Sequence, residues 1–242
     1  MYKFILILSC LTCFYALSQE RSDFKPGLLW HYTGIRPAKK GMARKYDRLV
    51  FDITYNDWMG DRKPFHNLAA SIGLNTNFLI DIPLAKHSRV AIGTGLSHSV
   101  FRVRHHYSFS VHQPEAFTAY NDPTNALTGP IERSVFGGSV VSVPLELRLR
   151  GAGWKHIKFH IGAKVGYQTK LFSRTVIKTP TKMDVHTIYD FPDENRFIYS
   201  THFRIGIRNW ALYGSYNLNT LFNQKASSKL NMFQMGLSIS LF

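Results

Sequence analysis

The sequence has little cysteine, few acidic residues and no long apolar run, and each shortage excludes a class of protein. Its two cysteines, Cys10 and Cys13, both stand near the amino terminus. We expect them to be removed with an export signal, which would leave no disulfide and no thiolate metal site. A transmembrane helix needs about 18 consecutive apolar residues, and no stretch of the sequence is that long. This excludes a helical membrane protein.

Acidic residues are half as numerous as basic ones. The chain has 15 Asp and Glu against 30 Lys and Arg, for a formal net charge of +15. Such a balance often indicates nucleic-acid binding. Here the positive charges are spread along the chain, and export would separate it from nucleic acid. We therefore expect no nucleic-acid partner.

The first 47 residues have the pattern of an export signal and a basic arm. Lys3 supplies a positive start, residues 4–8 are apolar, and Ala16 and Ser18 flank a small-residue cleavage site, which predicts a signal peptide over 1–18. Residues 19–47 form either a flexible arm or a segment that docks a periplasmic partner. The candidate docking residues are Trp30, Tyr32, Lys39 and Lys40.

From residue 48 onward, apolar and polar residues alternate with the two-residue period of β-strands. A phase slip between residues 98 and 101 predicts a β-bulge in the third strand. All the segments are long enough to cross a bilayer as tilted strands. We predict eight strands, over 48–57, 67–82, 89–105, 133–150, 155–172, 196–208, 210–222 and 229–242.

The connections alternate in length. Short links at 83–88, 151–154 and 209 follow longer ones, and the longest segments are 106–132 and 173–195. Bacterial outer-membrane barrels have short periplasmic turns, longer outside loops and both termini in the periplasm. The prediction is therefore all-β: an eight-stranded antiparallel up-and-down transmembrane β-barrel over 48–242, preceded by the signal peptide and the arm.

A soluble periplasmic sandwich or lipocalin-like barrel is the alternative, and it would turn the apolar faces inward. Two features favour lipid on the outside. The polar faces are rich in Gly, Ser and Asn, which suit a narrow interior. Aromatic residues also stand near the strand ends, as at membrane interfaces. They are Tyr55, Phe65, Tyr107, Phe109, Tyr167, Phe172, Tyr199 and Trp210.

Polar faces that point inward would carry more basic than acidic groups. The acidic groups are Asp52, Asp81 and Glu146. One interpretation is an internal network of ion pairs; the other is an anion-attracting interior or rim that binds lipopolysaccharide phosphates or an acidic partner. The candidate basic cluster is Arg148, Arg150, Lys158, Lys164, Lys170, Arg204 and Arg208.

The two longest loops hold the only candidates for chemistry. They are His105, His106 and His112 in one loop, and Asp184, His186 and Asp190 in the other. Imidazole and carboxylate groups can bind a metal or move a proton. No nucleophile at a matching spacing accompanies them, so we expect no catalytic, cofactor or metal site and no enzyme.

Four short segments resemble the PorT-like outer-membrane β-barrel family. They are VPLELR at 143–148, GAKVGY at 162–167, DIPL at 81–84 and IGTGL at 92–96. The resemblance spans about residues 48 to 242. It implies a small outer-membrane barrel, and it implies a link to protein secretion because some relatives take part in a secretion apparatus.

The expected function is that of a non-enzymatic outer-membrane interaction component of a Gram-negative cell envelope. The expected partners are outer-membrane lipid and lipopolysaccharide, the barrel-assembly machinery during insertion, and periplasmic or secretion proteins. Two alternatives remain open at this stage. One is an outer-membrane enzyme that acts on lipid or peptide through the long loops, and the other is a barrel that binds an anionic ligand.

Overall fold

The computed structural model describes residues 48–60, 70–85, 88–121, 131–151, 157–178 and 183–241. None of these residues belongs to a helix that is long and apolar enough to span a membrane. The predicted signal peptide (1–18) and basic arm (19–47) lie outside the described residues.

The described residues form eleven β-strands, eight of which close into a barrel. Consecutive barrel strands are antiparallel neighbours, and the last pairs with the first to complete the ring. The predicted eight-stranded up-and-down barrel is confirmed. In chain order the strands are β1 (Leu49–Gly60), β2 (Ile72–Pro83), β3 (Val90–His105), β4 (Ser108–His112), β5 (Phe117–Asn121), β6 (Ile131–Arg150), β7 (Ile157–Lys178), β8 (Met183–Tyr189), β9 (Phe197–Ile207), β10 (Trp210–Asn217) and β11 (Leu230–Ser240), of which β4, β5 and β8 lie outside the ring.

The two ends of the barrel differ. At one, called here the turn end, short connections join β2 to β3, β6 to β7 and β9 to β10. The first and last barrel strands also meet there, since Val50 pairs with Ser240. The other end, called the loop end, carries the β4–β5 hairpin and β8, which pairs with the far part of β7. This arrangement matches the predicted alternation of short and long connections.

The barrel wall carries polar side chains inside and apolar side chains outside. In β1, Asp52, Thr54 and Asn56 are buried, whereas Ile53 and Tyr55 between them are exposed. A soluble barrel would bury its apolar face instead. The inverted arrangement suits a bilayer, because a closed ring of strands leaves no backbone edge unpaired in lipid.

An apolar band runs around the outside of all eight barrel strands. The exposed aromatic residues Tyr55, Tyr167, Tyr199 and Trp210 border it, as predicted for membrane interfaces, but Phe109 is buried inside the molecule. We conclude that the barrel is transmembrane. The band includes Ile53, Leu74, Phe78, Ile80, Leu96, Val143, Leu145, Leu147, Ile161, Val165, Phe203, Ile205, Leu212, Met235 and Leu237.

An apolar plug fills the interior at the loop end. Here the strands continue beyond the apolar band, and the space between them is a packed core. Trp58 and Phe136 meet edge to face with ring centres 5.5 Å apart, and Phe109 of the β4–β5 hairpin lies 4.8 Å from Phe136. The plug consists of Trp58, Phe101, Val103, Phe109, Phe136, Leu171, Phe191, Leu221, Phe222, Leu230 and Met232.

The predicted β-bulge at 98–101 is wrong. β3 keeps one register with β2 and with β6 throughout these residues. The slip in the sequence marks the start of the plug instead, because the inward positions change from polar to apolar at Phe101 and Val103. A register shift does occur on the neighbouring pair of strands, between Ser139 and Val140 of β6.

The predicted long loops contain strands of their own. Segment 106–132 holds the β4–β5 hairpin. In segment 173–195, β7 continues to Lys178 and folds back on β8. The strand predicted over 210–222 is shorter and ends at Asn217. The loop end is therefore a folded cap.

Candidate functional site

One buried carboxylate, that of Glu146, joins the charged residues of the barrel interior. Its Oε1 accepts a hydrogen bond from Arg204 Nη1 at 2.5 Å and lies 2.8 Å from His202 Nε2. Its Oε2 accepts hydrogen bonds from Arg148 Nε at 2.8 Å and Nη2 at 2.7 Å. All four side chains are buried, so these charge-assisted bonds form away from water, where they are strongest.

Two aspartates extend this network. Asp52 binds Arg204 in a bidentate pair, with Nε–Oδ1 at 3.1 Å and Nη2–Oδ2 at 2.8 Å. Nearer the turn end, Asp81 pairs with Arg148 and, at 2.5 Å, with Arg150. Three carboxylates and three guanidinium groups are thus linked across β1, β2, β6 and β9. We call these six residues (Asp52, Asp81, Glu146, Arg148, Arg150 and Arg204) the ion network.

Gly93 has no side chain, and this provides the space in which Arg148 of the ion network lies. It lies on β3 opposite Glu146, with its missing side chain directed at Arg148. A Cβ atom there would stand 2.3 Å from Arg148 Nε, far inside the normal contact distance. A larger residue at this position would displace the guanidinium from its carboxylates.

Five of the seven residues of the predicted basic cluster are buried in the interior: Arg148, Arg150, Lys158, Lys164 and Arg204. Lys170 and Arg208 lie outside it. The register shift between β6 and β7 puts Lys170 on the outer face, where its ammonium is 5.8 Å from the Tyr189 ring centre. Arg208 stands in the turn between β9 and β10 with a left-handed backbone, φ 53°.

Lys164 and Lys158 are buried lysines that the ion network does not include. The Nζ of Lys164 is 3.2 Å from the hydroxyl of Tyr213 and 3.5 Å from Asn77 Oδ1. It also lies 5.3 Å from the centre of the Tyr213 ring. These contacts are all with neutral groups. Lys164 faces a small cavity between the ion network and the plug.

Three connections at the loop end are held together by one buried carboxylate, Asp193. Thr118 of β5 donates to it twice, from its backbone N–H at 2.8 Å and its hydroxyl at 2.5 Å. The Ser227 hydroxyl also donates to it from the connection before β11. These bonds join the β4–β5 hairpin to the segments before β9 and β11. The sequence offers no signal for them, since Asp193 is an ordinary loop residue in spacing and composition.

A second carboxyl beside this cluster has an altered acidity. Partial burial raises the pKa of Glu194, against the opposing effect of its ion pair with Arg196 at 3.6 Å. The carboxylates of Asp190 and Asp193 raise the same pKa further. Glu194 is therefore protonated, and the loop end loses this negative charge, at a higher pH than an ordinary glutamate would be.

β8 is the edge strand of the main sheet in the part of the chain that the structure describes. It pairs with β7 on one side, and the barrel closes elsewhere, through β6 and β7. The Asp190 N–H donates a hydrogen bond to the carbonyl oxygen of Leu171, the residue opposite it on β7. In an antiparallel pair, only every second residue of a strand forms backbone hydrogen bonds with that neighbour. Counting back from Asp190, these are the even-numbered residues of β8. The backbone groups of Met183, Val185, Thr187 and Tyr189 point away from β7.

The fold places the loop residues considered for chemistry in different surroundings. His105 is fully buried, accepts a hydrogen bond from the Tyr107 N–H at Nδ1 and packs edge-on against Phe109. His112 stacks on Phe117 in the β4–β5 hairpin. The other candidates, Asp184, His186 and Asp190, lie on or beside β8. Among the described residues, no three His, Cys, Asp or Glu side chains are grouped to hold a metal.

The candidate docking residues of the arm, Trp30, Tyr32, Lys39 and Lys40, lie outside the described residues.

No family model and no curated protein sequence matches the chain at a significant level. Among solved structures, the chain is similar to Ail, the attachment invasion locus protein of Yersinia pestis, crystallised in complex with the heparin analogue sucrose octasulfate. The TM-score is 0.34 and the sequence identity is 10%, over 79% of this chain and 95% of that one. A likeness this distant carries no conclusion about function.

Proposed function

We propose that the protein is a non-conducting, non-enzymatic barrel of a bacterial outer membrane that acts by binding other envelope components. The observation that carries the proposal is the filled interior. The ion network crosses the barrel, and the apolar plug fills it at the loop end. A solute would have to break buried ion pairs and displace packed aromatic rings to pass. The loop end remains available for contact with partners.

Secretion is the setting that the resemblance to PorT-like barrels favours. In this proposal the barrel is an accessory of a secretion apparatus, and residues 19–47 dock a periplasmic component. Trp30 and Tyr32 would supply apolar contacts, and Lys39 and Lys40 would supply charge. Outer-membrane lipid and lipopolysaccharide surround the barrel, and the barrel-assembly machinery inserts it.

The orientation proposed is loop end outside the cell and turn end in the periplasm, since short turns face the periplasm in such barrels. We expect Thr187→Cys, on the exposed face of β8, to react with a membrane-impermeant maleimide on intact cells. Ala85→Cys, exposed at the turn end, should react only after the outer membrane is permeabilised. The opposite labelling pattern would reverse the orientation.

The contact surface proposed is the outer edge of β8, where an extended segment of a partner protein adds a strand to the sheet. Exposed apolar side chains accompany the backbone groups that have no strand partner among the described residues: Met183 and Val185 are 59% and 50% exposed. Arg174 and Lys178 of β7 are exposed beside them. Because the surroundings are basic, the segment that fits best carries acidic side chains.

Val185→Pro is expected to reduce the amount of partner recovered with the barrel by about tenfold, because it removes an outward N–H and places a ring at the edge. The measurement is quantitative mass spectrometry after affinity purification from solubilised outer membranes. Val185→Thr keeps the N–H and should recover the partner at the wild-type level. Unchanged recovery with folded Val185→Pro would rule out the β8 edge as the contact.

A further inference from the structure

A basic patch lies on the outer wall of the barrel, immediately beyond the apolar band at the loop end. Arg102 and Arg104 stand on the outer face of β3, on either side of a buried residue of the plug. Lys170 and Arg174 are exposed on β7. We call these four residues the outer basic patch.

Strand pairing brings the members of the outer basic patch close together. Val135 of β6 pairs with Arg104 on one side and with Arg174 on the other. Arg104 and Arg174 are therefore about 10 Å apart along the backbone, because neighbouring strands lie about 4.8 Å from each other. Arg102 stands two residues before Arg104, at about 7 Å along β3. Side chains as long as these can converge on one ligand.

The outer basic patch begins where the apolar surface ends. Lys170 pairs with Ser139, which pairs on its other side with Val100, an exposed apolar residue of β3. Tyr167, an exposed aromatic residue at the border of the apolar band, stands three residues before Lys170 on β7. A lysine or arginine at such a border keeps its stem against acyl chains and its charge in the headgroup layer.

The residues that pair with the outer basic patch supply no negative charge. They are Gly137, Val135, Ser139 and Thr187. Among the described residues, no carboxylate forms an ion pair with any of the four basic side chains. The nearest acidic residues along β6 and β8, Glu132 and Asp184, stand farther from the apolar band. The wall formed by β3, β6 and β7 thus presents a surplus of positive charge to its surroundings.

Aromatic rings lie among these charges. Phe172 stands between Lys170 and Arg174 on β7, and its ring centre is 6.4 Å from that of Tyr189. The Lys170 ammonium lies 5.8 Å from the centre of the Tyr189 ring, a cation–π contact that helps to position it. The surface therefore combines positive charge with apolar rings. This fits a ligand that carries both phosphate groups and acyl chains.

We infer that the outer basic patch binds the phosphate groups of lipid A, the phosphorylated glycolipid that anchors lipopolysaccharide in the outer leaflet. Guanidinium groups recognise phosphate through paired, charge-assisted hydrogen bonds. The inference rests on the proposed function, because it needs the loop end to face outward. It adds to that function one lipid and the wall that holds it. Arg102 and Arg104 are distant from the β8 edge, since β6 and β7 stand between β3 and β8.

The test measures binding of lipid A with two phosphate groups to the purified full-length barrel in detergent micelles, by titration followed with native mass spectrometry. The wild type is expected to bind one molecule. Arg102→Gln combined with Arg104→Gln should raise the Kd about tenfold, because two charge-assisted contacts are lost. The matched control combines Arg48→Gln with Arg89→Gln, which removes two exposed arginines at the turn end and should leave the Kd unchanged.

Lipid A without phosphate groups provides a second comparison that needs no variant, and the wild type should bind it about tenfold more weakly. Equal affinity for the two lipids overturns the inference, and so does an unchanged Kd of the folded patch variant. An equal loss in the turn-end control would indicate general charge attraction and overturns it as well. Micelles have no inside and outside, so this result is independent of the orientation, which the maleimide labelling tests separately.

Discussion

Replacing Glu146 with glutamine is expected to lower the free energy of unfolding by about 3–5 kcal/mol. Glutamine keeps the volume of the side chain but removes its charge, and its NH₂ group would face arginine donors. Arg148 and Arg204 would then be buried with too little negative charge around them. Urea unfolding in detergent micelles, followed by tryptophan fluorescence and by heat-modifiable gel mobility, measures the change.

Glu132→Gln is the matched control for this prediction. Glu132 lies on the same strand, β6, but is exposed at the loop end. Losing a solvated carboxylate should change the unfolding free energy by about 0–1 kcal/mol. If the two variants lost the same free energy of unfolding, the ion network would contribute little to the stability of the barrel.

Ile161→Arg is expected to lower the stability of the inserted barrel by about 2–4 kcal/mol, because it places a charge against the middle of the bilayer. Ile161 is 46% exposed and pairs with Leu147 and Phe203, which are also exposed members of the apolar band. The measurement is reversible urea unfolding in phospholipid vesicles. The fraction of protein inserted should fall with it.

Val185→Arg provides the same chemical change at an equally exposed residue beyond the band. Val185 is 50% exposed but lies on β8 at the loop end. Water surrounds that position, so the substitution should be nearly neutral for stability. Equal losses at Ile161 and Val185 would contradict the assignment of the band to lipid.

The barrel could be predicted from the sequence because its main determinants are local. A two-residue period places every second side chain on the same face of a strand, and the same faces recur in eight segments. Long and short connections order those segments into an up-and-down ring. Strand ends were predicted less well, as shown by β7, which continues to Lys178, and β10, which ends at Asn217.

The candidate site was predicted in part. The alternation of side chains along a strand was enough to predict that Arg148, Lys164 and Arg204 point inward, because each lies on the polar face of a regular strand. The same reasoning failed for Lys170. A register shift just before Lys170 exchanges the inward and outward positions of β7, so this side chain points outward. Such a shift depends on how two strands meet, and neither strand carries a clear mark of it.

The sequence by itself therefore determined the architecture: eight strands, their order, and a polar interior inside an apolar surface. Only the tertiary structure decided what fills that interior. Phe101 and Phe136 belong to a plug because the strands extend beyond the bilayer, where inward positions become an ordinary core. Thr118 meets Asp193 from 75 residues away. Alternation along a strand states which side a residue faces, but its partners across the barrel depend on closure of the whole ring.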